Sequence, residues 1–322
     1  MTQKQPLTAK FSLRVLFFLT VLTSCTPSKP EYLQNVAAFG STAKKLSTAP
    51  GDLYQQISDF RHDLRLIYAS TFFSSDTVIA RLNKIIEYKK NFEENIELTY
   101  SACRIISTYA ECLLSITDDK YVKTTGLESG ELGLKLNNVI SGFTIRKGAS
   151  LPKSVGSFLG MVVNEIGSMR IQTLQKKYLK EFIDSGSLLI NTIGDYLTDV
   201  VGENVNLELS SLDIQFSQTM HSFYDNIEAY QRKQNVNPFD YLKNYNPLYL
   251  DMKERLANIY QLQQKTIGAI QNIKTAHEAL RAASDNNTAS NSSEEIKKLY
   301  ASMVDVNNVL SKLRKKGDNT PY

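Results

Sequence analysis

Residues 76–117, DTVIARLNKIIEYKKNFEENIELTYSACRIISTYAECLLSIT, contain neither glycine nor proline. Steps of four and three from Val78 visit Leu82, Ile85, Lys89, Phe92, Ile96, Thr99, Cys103, Ile106, Ala110, Leu113 and Thr117. Nine of these twelve positions are apolar. A repeat averaging 3.5 residues holds its apolar members on one face of a helix. The spacing therefore predicts one unbroken helix, about 60 Å long at 1.5 Å per residue.

The pattern extends outward on both sides. Upstream, Pro50-Gly51 interrupts the chain, and Asp52 with Gln55 reads as a capping box for a helix reaching about Ala69. Downstream, Asp118–Gly130 reads as a polar loop and Glu131–Phe143 as a short amphipathic piece. Ser150-Leu151-Pro152 opens a helical stretch that runs to Val201 and stops at Gly202. Another amphipathic helix carries Val205, Leu209, Leu212, Phe216, Phe223 and Ile227 on one face. Asn237-Pro238 and Asn246-Pro247 each place a capping Asn before a helix-opening Pro. After a polar turn over Ser284–Asn291, Ser292 and Glu295 suggest a second capping box. The final helix bears Ile296, Leu299, Met303, Val306, Leu310 and Leu313 at 3/4 spacing.

No stretch alternates apolar and polar residues as a half-buried strand would. The expected fold is all-α: an elongated antiparallel bundle of long amphipathic helices with coiled-coil-like packing. Composition agrees. Hydrophobic residues make up 42% of the 322, enough for a core, while eight Pro and fifteen Gly are too few for an all-β sandwich. Three Cys cannot form a disulfide scaffold.

The N-terminus carries a separate signal. Lys4, Lys10 and Arg14 form a basic segment without acids, followed by the apolar run Val15–Leu22 and then Thr23-Ser24-Cys25. That run is too short to span a bilayer and has the length of a secretory signal core. The junction Leu22-Thr23-Ser24-Cys25 resembles the bacterial lipobox. The resemblance implies cleavage before Cys25, a diacylglycerol on its thiol and acylation of its new amine. Two or three acyl chains anchor a protein stably. Thr26 stands where an Asp would signal inner-membrane retention, so the resemblance points to the outer membrane. The implied organisation is a signal peptide over 1–24, a flexible tether over 25–50, a helical bundle over 51–316 and a disordered tail over 317–322. Without the signal segment, the 34 Lys and Arg left nearly balance the 33 acids. A basic nucleic-acid footprint is thus absent.

Catalytic patterns are not found. Cys103 and Cys112, nine apart on one helix, lie on opposite sides of its axis and are expected as small buried residues. His62, His221 and His277 belong to no metal-binding motif. Asp59 and His62 share a helix face and suggest a surface contact, whereas His277 falls on an apolar seam. Glu87, Glu93, Glu94 and Glu97, interspersed with Lys84, Lys89 and Lys90, read as a solvated face.

Two features invite a functional reading. Gly156-Ser157-Phe158-Leu159-Gly160 has the small-residue spacing that brings membrane helices together, and Leu188–Gly194 is also apolar. Gly156, Phe158, Leu159 and Gly160 are thus candidate membrane contacts, with close helix packing within the bundle as the ordinary explanation. Tyr241, Tyr245 and Tyr249 recur every four residues in an aromatic connector. They are candidates for partner contact or for plugging the bundle end.

The functional expectation is a non-enzymatic, lipid-anchored cell-envelope protein without cofactor or metal. Its helical rod would bind another envelope protein or act as a spacer, and a homo-oligomer is compatible with it. The alternative is a membrane-active protein resembling α-pore-forming toxins, inserting through about 155–201.

Overall fold

The computed structural model describes residues 31–72, 74–117, 126–148, 151, 155–157, 171–234, 238–286 and 289–317. Cys25 and the signal segment, the loop 118–125, Phe158, Leu159, Gly160 and the tail 318–322 lie outside the described residues.

Among the described residues the chain is helical and contains no strand. The helices are α1 (Glu31–Ala43), α2 (Ala49–Ser70), α3 (Ser75–Thr117), α4 (Gly126–Lys147), α5 (Ile171–Asp199), α6 (Val205–Gln234), α7 (Pro238–Asn286) and α8 (Ala289–Gly317). They form an all-α bundle. α3 and α7 are its two central members: α1, α2, α4 and α5 pack on α3, and α1, α2, α5, α6 and α8 pack on α7.

The expected tether over 25–50 is corrected from residue 31 onward. α1 and the 3₁₀ turn Lys44–Ser47 are part of the bundle, with Val36, Phe39, Ala43 and Leu46 sealed in its core. Glu31-Tyr32-Leu33-Gln34-Asn35-Val36-Ala37-Ala38-Phe39 places apolar side chains at positions 32, 33, 36 and 39, a one-face helical pattern. The close approach of α1 to α3 needs Gly40, where a Cβ would stand 2.9 Å from Leu114 Cγ and 3.0 Å from the Ala110 carbonyl.

Several helix boundaries also differ from expectation. α2 starts at Ala49 with Pro50 in its first turn and Thr48 as its N-cap residue. Asp52 and Gln55 do not form a capping box. Gln55 Nε2 donates to Asp59 Oδ1 at 2.8 Å, while Asp52 accepts from Tyr100 Oη at 2.9 Å. Ser292 is likewise inside α8, fully buried, and accepts from Asn35 Nδ2 of α1 at 3.0 Å. In each case a partner on another helix, or one further along the same helix, takes the side chain.

Two expected breaks are continuous. At Gly202 the chain widens into a π-turn, Val200–Asn204, and passes directly from α5 to α6. The extra residue disturbs the backbone ladder and leaves carbonyl groups to be satisfied. Tyr54 Oη donates to Val200 O at 3.1 Å, and Gln263 Nε2 donates to Val201 O at 3.0 Å and Gly202 O at 3.2 Å. Tyr54 and Gln263 are both buried, so the π-turn is held by α2 and α7. At Asn246-Pro247 no new helix begins, because α7 runs through Pro247. Pro247 and Lys243 are exposed, where water can replace the one backbone bond that proline removes.

The seam of α3 lies where the repeat places it over part of its length. Ile85, Phe92 and Ile96 are buried, but Leu82 and Lys89 are exposed. From Thr99 to Thr117 burial spreads around most of the helix. That half is enclosed by neighbours instead of meeting one partner along a stripe.

Candidate functional site

α3 and α6 both pack on α2 but not closely on each other. The space between them is a cleft of about 760 Å³. Its volume falls within the range of small-molecule sites. α2 contributes Leu64, Arg65 and Tyr68, α3 contributes Arg81, Lys84, Ile85, Glu87 and Tyr88, and α6 contributes Gln215, Gln218, Thr219 and Ser222. Three cations and one carboxylate leave its lining with a net charge of +2.

Helical spacing accounts for the arrangement. Leu64 and Tyr68 are four residues apart on α2, and Arg81, Lys84, Ile85 and Tyr88 are three or four apart along α3, so each set shares a face. The antiparallel α2–α3 hairpin sets these faces side by side. Arg65 Cζ lies 3.8 Å from the Tyr88 ring centroid. Arg81 Cζ is 5.3 Å from both the Tyr68 and Phe72 rings, which meet edge to face at 5.1 Å. Burial holds the Arg65 guanidinium below its ordinary pKa; Tyr88 counters this and the neighbouring Arg61 charge adds to it.

Below the cleft, the interior arginines are neutralised. Arg61, 3% exposed, pairs with Glu208 of α6 and donates to Tyr88 Oη at 3.1 Å. Arg255 of α7 pairs with Asp63 at 2.5 Å. Breaking a buried pair of this kind leaves an uncompensated charge and costs about 3–5 kcal/mol. By contrast, no described carboxylate stands within 4 Å of the charged nitrogens of Arg65, Arg81 or Lys84.

A second polar constellation is sealed in the core. Tyr109 Oη and His277 Nε2 are 2.8 Å apart, Tyr109 stacks on Phe182 at 5.1 Å, and His277 meets Phe39 edge-on. Burial lowers the His277 pKa to about 4 and raises that of Tyr109, so both are neutral near pH 7. The neutral pair shares one proton-donor bond without an ionic charge. Cys103 and Cys112 are free and buried. Burial raises both thiols, Cys112 to about 12, so neither is an activated nucleophile.

The aromatic candidates and glycine candidates fall in different places. Tyr241 is on α7. Tyr245 meets Phe223 of α6 edge to face at 5.2 Å, and Tyr249 packs on Phe216 at 5.4 Å and Tyr224 at 6.3 Å. Tyr245 and Tyr249 are half-buried and join α6 to α7. The continuity of α7 through Pro247 keeps them on the same side. Gly156 is buried at a close contact with α4, where a Cβ would stand 2.3 Å from Gly133 O; Asn137 Nδ2 donates to Ser157 Oγ at 3.1 Å. In the other apolar stretch, Leu189, Ile190 and Ile193 are sealed against the bundle while Leu188 is 63% exposed.

His62 is exposed, and Asp59 is taken by Gln55 instead of by His62. Glu87, Glu93, Glu94 and Glu97 are exposed, as the charge pattern predicts. Among the described residues no cluster of His, Cys, Asp and Glu suits a metal ion, and no helix is long and apolar enough to cross a membrane. Sequence reasoning named Lys84 only as part of a solvated face and did not single out Arg65, Tyr68, Arg81 or Tyr88. The available signal was the basic and aromatic spacing Arg65/Tyr68 and Arg81/Lys84/Tyr88 on adjacent helices. No protein-family model, curated protein or solved structure matches this chain.

Proposed function

We propose that this chain is a lipid-anchored protein of the bacterial cell envelope, in the outer membrane, whose helical body is a non-enzymatic binding module. The observation that carries the reading is Leu22-Thr23-Ser24-Cys25 after a basic segment and a short apolar run. A binding role is favoured over a spacer by the position of α1. The first described helix starts at Glu31, six positions after Cys25. Six residues reach at most about 20 Å when fully extended. Such an anchor holds the bundle beside the bilayer. The cations of the α2–α3–α6 cleft, which meet no carboxylate among the described residues, then supply a binding surface, whereas His277, Cys103 and Cys112 are enclosed in the core away from it.

The test is metabolic labelling of the full chain with a palmitate analogue. The native chain takes up label and is shortened at its N-terminus. Cys25→Ala remains unlabelled and accumulates as precursor. Persistent labelling of that variant would remove the basis for the reading.

A further inference from the structure

We infer that the cleft between α2, α3 and α6 is a binding site for a phosphate-bearing anion, with an apolar part of the ligand seated on Leu64 and Ile85. This names the ligand class for the binding module proposed above.

The first argument is the treatment of charge. This fold pairs its interior arginines with carboxylates: Arg61 with Glu208, and Arg255 with Asp63. One turn from Arg61, Arg65 lines the cleft on the Tyr88 ring without a carboxylate partner among the described residues. Arg81 is likewise held on Tyr68 and Phe72, and Lys84 has no described ion partner. Aromatic contacts restrict the guanidiniums without consuming their charge. The entropy cost of ordering them on a ligand is therefore partly met before binding.

The second argument concerns stoichiometry. The lining has a net charge of +2. A single carboxylate neutralises half of it, while a phosphomonoester carries about −1.5 to −2 near neutral pH. Its oxygens also match the fork of guanidinium donors and the hydroxyl and amide donors on the α6 wall. Thr219 and Ser222 supply hydroxyls there and Gln218 supplies an amide, while Gln215 Nε2 donates to Ser211 Oγ at 2.8 Å. Glu87, the one carboxylate of the lining, is exposed.

The third argument is the shape. Leu64 is 1% and Ile85 6% exposed, and they are the buried apolar part of the lining. The described lining covers little more than one turn of α2 and about two turns each of α3 and α6. Outside that lining, one turn along α2 from Arg65, Arg61 pairs with Glu208 and its guanidinium lies 5.5 Å from the Phe92 ring. That arrangement accommodates a compact ligand better than a long docked helix, which uses anchors over more turns.

The experiment is titration calorimetry on the full chain in neutral detergent, with inorganic pyrophosphate in one arm and short-chain dihexanoyl phosphatidic acid in the other. The expected result is saturable binding of one equivalent in at least one arm. The arm that binds tells whether the phosphate is free or on a lipid headgroup. Arg81→Gln combined with Lys84→Gln should weaken that binding at least tenfold while the melting temperature stays unchanged. Lys298→Gln, at an exposed position of α8, should leave it intact. No saturable binding in either arm would overturn the inference, as would binding that survives the double substitution. Saturation by a polyglutamate peptide but by neither phosphate would also overturn it, identifying an acidic protein partner instead. Palmitate labelling reports on the anchor independently: a labelled chain that binds no phosphate defeats only this inference. An unlabelled chain that binds phosphate defeats only the anchored reading.

Discussion

The two halves of α3 share one repeat but occupy different surroundings. From Ser75 to Leu98 only Ile85, Phe92 and Ile96 are buried among residues with described side chains; fourteen residues are buried from Thr99 to Thr117. Ile86 is 70% exposed, whereas Ile106 is 1% exposed. The first half has α2 on one side and the open cleft on another. The second is enclosed by α1, α4 and α5, with Gly40 and Gly186 allowing close approach and Tyr109 stacked on Phe182. The comparison separates a region whose packing holds the fold from one that presents a surface.

The largest expected effect challenges that division directly. Ile106→Asp would bury a charge without a partner and should destabilise the protein by several kcal/mol, measured by chemical denaturation. Ile86→Asp on the other half should change stability by less than about 0.5 kcal/mol. Similar losses in the two variants would invalidate the distinction between core and surface.

Acid should act through the buried half next. His277 is neutral in the folded protein because burial lowers its pKa from 6.5 to about 4. Between these values the unfolded chain binds more protons, so stability falls as pH decreases. This group contributes a loss of up to about 3 kcal/mol from pH 7 to pH 4. In His277→Gln the loss across this interval should be smaller by a comparable amount. Carboxylates shared by both proteins largely cancel in that difference, so identical pH slopes would contradict the assigned protonation state.

A smaller test adds one methyl group at each of two helix positions. At Gly186 a Cβ would come 2.4 Å from the Tyr109 ring, so Gly186→Ala should cost about 1–3 kcal/mol through overpacking. At Gly268 on α7 no heavy atom beyond the adjoining helix backbone lies within 4 Å of the added Cβ. Gly268→Ala should instead stabilise by about 0.5–1 kcal/mol through reduced chain entropy. Thermal melting of both variants reads the sign. Equal shifts would show that the tight helix contact around Tyr109 does not constrain the core.

Much of the α3 contrast is visible in its residues. Arg104 and Glu111 are the only charged side chains from Thr99 to Thr117, while Arg81, Lys84, Glu87, Lys89, Lys90, Glu93, Glu94 and Glu97 crowd the preceding half. A helix with few charges around its circumference needs neighbours on several sides. Which neighbours cover it is harder to derive. The Asp52/Gln55 and Ser292/Glu295 patterns resemble caps, but distant partners occupy Asp52 and Ser292: Tyr100 and Asn35, respectively. The cleft was less legible because its cations and aromatics come from two helices and its polar wall from a third, separated by more than a hundred residues.

The sequence by itself determined the helical class, the long uninterrupted α3, the apolar face of α8 and the residues that form the signal-like N-terminus. These follow from local composition and periodicity. Tertiary structure alone decided that α1 belongs to the bundle, that Gly202 becomes a supported π-turn, and that α7 continues through Pro247. It also decided which arginines meet carboxylates and which line an open cleft. Helical periodicity establishes which side chains share a face; the opposing face and the hydrogen-bond partners depend on packing between distant segments.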